Sequence, residues 1–438
     1  MRRPRCFALL AVFALSAACH GGGAVSSLPG ADSASIRRDV TWLADDAREG
    51  RATGSAGLDS AALYVERRFE ALSLKPIALV DTGCRASCAT AFQMRYTARP
   101  IAARHTDAPP ALLATSNVVG LLRGTDAALA DEYVIVGAHM DHLGMSSDFA
   151  LDPEARNAIR HGADDNASGV AAVLELARLF KRQPARRSIV FTTFSGEELG
   201  LLGSAYWAEH PPVPLARVRA MVNFDMVGRM HDDKLIVYGV ATATELPSIV
   251  DAANTAPKLS IAAVGDGFGP SDHSSFYARN LPVLHLFTDL HDDYHRATDV
   301  ASKINAGGEA QVVAFAERTI RAIADRDAPL TFVRTPAPVA RGGSSREGSN
   351  TYLGSIPDMA AGSLPGLRLS GVRAGSPADK GGLKAGDVIV ELAGTEVKDL
   401  YSYTDALYAH KPGEKIVIVV LRDGARVPCT IVLGERGR

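Results

Sequence analysis

The 438-residue sequence carries no excess charge of either sign: 47 basic residues against 49 acidic leave a formal charge of −2, and the Lys and Arg side chains form no stripe. A polyanion would find nothing to gather on, so nucleic acid is not an expected partner. Long apolar runs are missing as well. Beyond the first twenty residues none could span a bilayer as a helix. Cysteine is scarce, at five, and no second ligand pair stands near Cys84 and Cys88, which argues against a zinc knuckle there. What remains is the composition of a folded protein, 47% apolar and 22% charged, which excludes wholesale disorder. The length suits two folded units.

The first residues read as an address. Arg2, Arg3 and Arg5 precede an apolar core from Phe7 to Leu15, and small residues then lead to Cys19. This is the pattern of a secretory signal peptide over 1–19. Cys19 resembles a bacterial lipoprotein cleavage site, although Leu15 lies one position further from it than such sites prefer. The expected location is therefore outside the cytoplasm: periplasmic, anchored to the membrane through a lipid on Cys19, or secreted. Cys84 and Cys88 are close enough to pair in an oxidising compartment, and Cys429 is expected to stay unpaired in an apolar interior.

Apolar spacing predicts helices around Ile36, Val40 and Leu43 and around Ala62, Val65, Phe69 and Leu72. Residues 76–115 show only short β-like runs. From 117 the pattern alternates. Strands are expected at 117–122, 133–137, 188–194, 220–226, 235–240 and 283–287. Helices are expected after Gly169, from about 199, near 244–253 and at 310–324. Near-continuous apolar strands alternating with helices predict an α/β fold, a mainly parallel mixed sheet sandwiched by helices over 33–327. Residues 328–350, rich in Pro, Gly, Ser and Arg, read as a linker. A small β-rich unit follows at 351–435, with strands near 367–372, 388–392, 416–421 and 429–433.

Polar clusters end or follow the strands of the larger unit, where such folds place their working groups. They are Gly137-Ala138-His139-Met140-Asp141-His142, Gly162-Ala163-Asp164-Asp165-Asn166-Ala167-Ser168-Gly169, Ser195-Gly196-Glu197-Glu198-Leu199-Gly200, Asn223-Phe224-Asp225-Met226 and Asp292-Asp293-Tyr294-His295. Each has a plain structural reading. The Asp/Asn octet suits a helix-capping turn, Glu197 and Glu198 a solvated helix start, and a strand-end His a hydrogen-bonded structural role. His291 and His295, four apart, could share a helix face. Together they supply two imidazoles, several carboxylates and a Glu beside a candidate ligand, a set that favours zinc or a similar transition metal over magnesium.

These clusters resemble, in order, the motifs of the co-catalytic dizinc aminopeptidases, the family that also includes glutamate carboxypeptidase. The resemblance runs over about 40–325. It implies two Zn²⁺ ions, with Mn²⁺ or Co²⁺ as substitutes. His139 and Asp225 would hold one ion, Glu198 and His295 the other, and Asp165 would bridge. Glu197 would be the general base, Asp141 would orient His139 from behind, and Tyr294 would donate to the tetrahedral oxyanion. Peptides with a free amino terminus are the implied substrates. Gly269-Pro270-Ser271-Asp272-His273 resembles a substrate-cleft loop without assigned roles.

In the smaller unit, Tyr352-Leu353-Gly354-Ser355, Ala374-Gly375-Ser376-Pro377-Ala378 and Gly386-Asp387-Val388-Ile389 resemble a bacterial-type PDZ domain. Such domains take an extended peptide as an added strand. The Tyr352–Ser355 loop would receive the peptide carboxylate, and a peptide or protein ligand is the implied partner. Packing without a ligand is the alternative. Glutaminyl-cyclase-like chemistry with one zinc, carboxypeptidase activity and a non-catalytic scaffold are the competing expectations for the larger unit.

Overall fold

A computed structural model of the chain describes residues 1, 30–79, 90–99, 112–146, 150–152, 155–269, 271–335, 351–357, 366–372, 375–397, 402–403, 406–407 and 409–435. The signal segment with Cys19, and the Cys84/Cys88 pair, lie outside them.

The larger unit is built on a nine-stranded sheet. From one edge the order is Lys75–Pro76, Leu113–Leu122, Ser188–Phe194, Tyr133–His139, Val218–Phe224, Val283–Phe287, Lys234–Tyr238 and Ser260–Ala263. Gln93–Ala98 shares the first edge with Lys75–Pro76. The four strands from Ser188–Phe194 to Val283–Phe287 run parallel. On either side of them the pairing turns antiparallel. Strand Leu113–Leu122 is longer than the 117–122 expected, because its first half pairs with Gln93–Ala98.

The parallel strands are apolar because both faces are covered. Every residue of Tyr133–His139 and Ser188–Phe194 is buried. Helix Gly169–Arg182 packs on one face, with Val170, Val173, Leu174, Ala177 and Phe180 in the core as their spacing predicts. Helices Ser33–Leu43, Ala56–Ala71 and Ala306–Ala324 join the same core. Trp207 of Leu202–Glu209 and Phe276 of His273–Tyr277 belong to the core of the opposite face. Parallel pairing decides where the chemistry can sit. His139 aligns with Phe194, Gly137 with Asn223, and Leu286 with Phe224. The carboxyl ends of four strands therefore finish level at one edge of the sheet.

Arg51, fully buried, ties that edge together. Its Nε donates to the Met140 carbonyl at 2.9 Å, Nη1 to Leu43 at 2.7 Å and His161 at 2.8 Å, and Nη2 to Gly162 at 2.8 Å. One guanidinium thus joins the end of the first helix to the two segments that carry His139 and Asp165. Arg51→Met would take the donor from the carbonyls of Leu43, Met140 and His161 and leave Gly162 only the Ala167 N–H. We expect a loss of more than about 3 kcal/mol, since hydrogen bonds to a charged group contribute about 1.5–3 kcal/mol each. Urea unfolding in the presence of chelator would measure it.

Downstream of helix Ala306–Ala324 the chain stays attached to the larger unit. Thr331 bonds to Glu245 and Thr335 to the Tyr277 hydroxyl. The part of the expected linker that begins at 328 is therefore packed as far as Thr335.

The smaller unit has its own core around Leu353, Leu369, Leu383, Ile389, Ile418 and Ile431. Its six-stranded sheet includes Leu367–Val372, Val388–Leu392, Lys415–Arg422 and Ala425–Val432. The Gly-Asp-Val-Ile run has a structural cause: buried Asp387 accepts both Nε and Nη2 of Arg422 at 2.7 Å and the Lys384 N–H at 2.8 Å. Burial pushes its carboxyl up, but these donors outweigh burial and hold it below the ordinary range. Cys429 is a buried free thiol, as expected.

Candidate metal centre

The Asp/Asn octet does both of the things its residues allow, and divides them by position. Asp164 and Asn166 build the turn. Asp164 Oδ1 accepts from Gly228 N at 2.7 Å and its Oδ2 lies 3.1 Å from His291 Nε2. Asn166 Nδ2 donates to the Phe224 carbonyl at 2.9 Å, and its Oδ1 accepts from Gly169 N at 2.9 Å. Gly169 must be bare, because a Cβ there would lie 2.3 Å from Asn166 Oδ1 and 2.5 Å from the Phe224 oxygen. Asp299 caps the arrangement from below, accepting the backbone N–H of Asp164 at 2.9 Å and of Asp165 at 3.1 Å. Between these tied residues the Asp165 carboxylate points at imidazoles.

Its two oxygens go to different rings. Oδ1 lies 3.3 Å from His139 Nε2, which is itself 3.4 Å from Asp225 Oδ1. Oδ2 lies 3.1 Å from His295 Nε2, which is 3.2 Å from Glu198 Oε2. Four bonds of about 2.0 Å arranged tetrahedrally place their donor atoms about 3.3 Å apart. The observed separations have that size around two centres sharing Asp165. Two triads, His139/Asp165/Asp225 and His142/Asp165/Glu198, each keep their donor atoms within 4.8 Å of one another. The five residues predicted as ligands therefore come together, and the donor set fits two zinc-like cations.

The residues expected to act beside the ligands lie around the same centre. His139 Nδ1 donates to the Asp141 carbonyl at 3.2 Å, which leaves Nε2 for the centre. The Asp141 carboxylate is further from that ring, at 3.9 Å. It accepts instead from Thr53 Oγ1 at 2.8 Å and from the Glu197 N–H at 3.2 Å. Asp141 orients His139 with its backbone and the Glu197 turn with its side chain. Glu197 and Glu198 do not open a helix. The chain turns over Gly200 and Leu201, both at positive φ, and the helix starts at Leu202. Tyr294 stacks on His295 with ring centroids 3.9 Å apart. His291 and His295 share no helix. They sit in a turn, with His295 at φ 54°, and His291 faces Asp164 while His295 faces the centre.

Electrostatics separates the carboxylates. Burial pushes Asp165 up, but His142, His139 and His295 outweigh it and hold the group well below the ordinary range. Glu198 is held at about 2, with His295 and His142 overcoming burial. Glu197 is pushed well above the usual range by burial and by the charges of Glu198, Asp225 and Asp272, against the opposing His139. Burial, with Asp165, Glu198, Glu197 and Asp225, also raises the Tyr294 phenol and keeps it a donor. Buried Asp272, from the loop without assigned roles, is pushed up to about 7 by burial first and by Asp141 and Asp225.

In the smaller unit Tyr352 lies in a short strand paired with Gly434, Leu353 is buried in the core, and Gly354 has φ 82°. The Leu353 carbonyl accepts the Ala378 N–H at 2.8 Å, and Ser355 Oγ lies 2.6 Å from the Tyr403 hydroxyl.

Known proteins share both halves. Residues 117–319 match the model of peptidase family M28 and residues 350–433 that of the PDZ domain. A probable zinc metalloprotease of Pyrenophora teres f. teres is 35% identical over 176 residues, a match spanning 38% of this chain and 33% of that protein. Aminopeptidase YwaD of Bacillus subtilis is 29% identical over 171 residues, 38% of this chain and 34% of that one. The matches thus span about a third of these relatives' length. A crystal structure of Bacteroides thetaiotaomicron glutaminyl cyclase bound to N-acetylhistamine shares the fold, with TM-score 0.54 and 20% identity over 67% of this chain and 99% of that one. All five expected ligands, with Glu197, Asp141 and Tyr294, lie inside the first matched segment, and so residues 117–319 belong to peptidase family M28 and residues 350–433 to the PDZ domains.

Proposed function

We propose that the chain is an exported zinc aminopeptidase that removes residues from the amino ends of peptides. The observation that carries this reading is Asp165, whose two oxygens face two separate imidazole–carboxylate pairs with zinc-like spacing. One position would be held by His139, Asp165 and Asp225, the other by Asp165, Glu198 and His295. Ions bound there supply Lewis-acid polarisation of the scissile carbonyl and lower the pKa of water in the cleft. Glu197 stands beside the ligands with its backbone fixed by Asp141. Nearby cations would favour its ionised form over the neutral one that burial imposes. As a carboxylate it accepts a proton from the attacking water and returns it to the departing amide nitrogen. The Tyr294 hydroxyl donates to the developing oxyanion. The surplus of carboxylates holds the substrate's ammonium group.

Metal content and turnover of aminoacyl-anilides, measured on one purified sample, test this. Two metals per chain with chelator-sensitive cleavage are expected. One metal with cyclisation of amino-terminal glutamine would favour a glutaminyl-cyclase-like enzyme instead. Neither metal nor turnover would leave a scaffold.

The boundaries that go with this reading are a signal segment at 1–19, lipid-bearing at Cys19 in the anchored form, a peptidase unit at 33–327, a linker at 328–350 and a PDZ unit at 351–435. The PDZ unit is assigned to bind peptide carboxyl ends at the Tyr352–Ser355 loop, with strand addition supplying most of the hydrogen bonds. A labelled peptide with a free carboxylate should bind at least about tenfold more tightly than its amide, as expected for losing a charge-assisted hydrogen bond. Equal affinities by fluorescence anisotropy would sink the carboxylate role.

A further inference from the structure

His142 is an imidazole of the centre to which the metal reading gives no work. It follows Asp141 directly, is buried, and enters from the side of Glu198. Its Nδ1 lies 2.8 Å from Glu198 Oε1 and 3.7 Å from Asp165 Oδ2. Its Nε2 is buried without a hydrogen-bond partner among the described residues. The ring could be a further ligand of the ion beside Glu198, or a donor that holds Glu198 for that ion.

The carboxylate oxygens discriminate between these. His295 Nε2 reaches Glu198 through Oε2 at 3.2 Å and Asp165 through Oδ2 at 3.1 Å, the spacing of donors around one zinc. His142 takes the other oxygen, Oε1, at 2.8 Å. That separation is shorter than the edge of about 3.3 Å between two zinc ligands, and is the length of an N–H···carboxylate hydrogen bond. His142 is also the more distant of the two rings from Asp165 Oδ2. The geometry points to His142 as a positioning residue. Its Nδ1–H engages Oε1 and turns Oε2 alone toward the second metal.

Gly162 belongs to the same device. It adopts φ 57°, and a Cβ there would stand 2.5 Å from His142 Cγ and 2.6 Å from Cδ2. The glycine that opens the octet thus leaves room for the ring. The backbone N–H of His142 donates to the Arg51 carbonyl at 3.1 Å, which fixes the main chain from which the ring projects. The imidazole is held between bare backbone and a fixed strand end, and its one engaged nitrogen faces Glu198. A ligating carboxylate whose free oxygen is held in this way keeps its orientation when the metal leaves.

The inference rests on the zinc reading, and two backgrounds separate its failure from that reading's failure. Asp225→Ala leaves intact only the position beside Glu198, and His295→Ala only the position beside Asp225. Zinc affinity is measured by chelator competition in each full-length background, with His142 present, as Ala and as Asn. In the Asp225→Ala background, His142→Ala should weaken zinc binding about 10–100-fold, the usual cost of losing a ligand's hydrogen-bond partner. His142→Asn, which can place an N–H where Nδ1–H was, should recover most of it. In the His295→Ala background, His142→Ala should change affinity by less than about threefold, because its partner Glu198 serves the other position. Asn as poor as Ala, or equal losses in both backgrounds, would overturn the positioning role. An Asp225→Ala chain that binds no zinc with His142 present would overturn the metal reading beneath it.

Discussion

Glu197→Gln is expected to keep its metal content and lose about 10²–10⁴-fold in kcat, the range a positioned general base contributes. The argument rests on how Glu197 is held. Its backbone N–H bonds to Asp141 Oδ1, so the turn does not depend on its carboxylate. Its side chain is outside both donor triads. Gln has the same shape and fills the same space, but its amide cannot accept the water proton. Ground-state contacts survive, so KM for an aminoacyl-anilide should change little while kcat falls. The pair of measurements is metal per chain and kcat on the same preparation. A variant that turns over within about threefold of the parent would place the proton elsewhere, since loss of a true base is never that mild. Asp165→Ala makes the contrast. It removes the side chain that, among the described residues, faces both His139 and His295, so it should abolish activity through loss of metal.

Most of this centre could be read from sequence because its donors sit at or just past strand ends, where a near-continuous apolar run stops and a polar cluster begins. His139, Glu198 and Asp225 are of that kind, and parallel pairing brings them level. The parts that could not be read act through contacts with no local pattern. Arg51 and Thr53 lie in a stretch whose sequence announces only that a helix ends, yet one holds four carbonyls and the other the Asp141 carboxylate. Asp299 works through the N–H groups of residues 135 and 134 positions away. Spacing misleads at His291 and His295: four residues apart suggests one helix face, but a positive φ at His295 sends the rings to different carboxylates. The antiparallel flanks of the sheet are hidden for a related reason. An apolar strand looks the same whichever way its neighbour runs, and only the connection between them decides.

Removing the metal should change both stability and its pH dependence. In the cation-free chain burial pushes the His139 imidazole down, but the Asp225 charge and the contacts with Asp165 and Asp225 outweigh it and hold the ring protonated well above its ordinary range. His295 is the same case, with Glu198 and Asp165 overcoming burial. These folded values lie above the unfolded value of about 6.5, so the imidazolium pairs stabilise the apo fold fully below that pH, and the contribution is lost as pH rises through the folded values. Zinc requires both rings neutral. Binding of the two ions should therefore release about two protons from the rings at neutral pH, with a further one from Glu197 as it ionises, and the affinity of each ion should rise with pH by up to about tenfold per unit for the one ring it takes. With free zinc at about a thousand times Kd, each ion adds about 4 kcal/mol, on the order of 10 °C in Tm for a unit of this size. The gap between zinc-loaded and chelated protein should widen from pH 6 to pH 8, because the apo form loses its imidazolium pairs over the interval in which zinc binds more tightly. Calorimetry of zinc binding in buffers of different ionisation enthalpy counts the protons directly. A count near zero would mean that His139 and His295 are already neutral in the empty centre, and a Tm gap that narrows with pH would mean that they do not ligate.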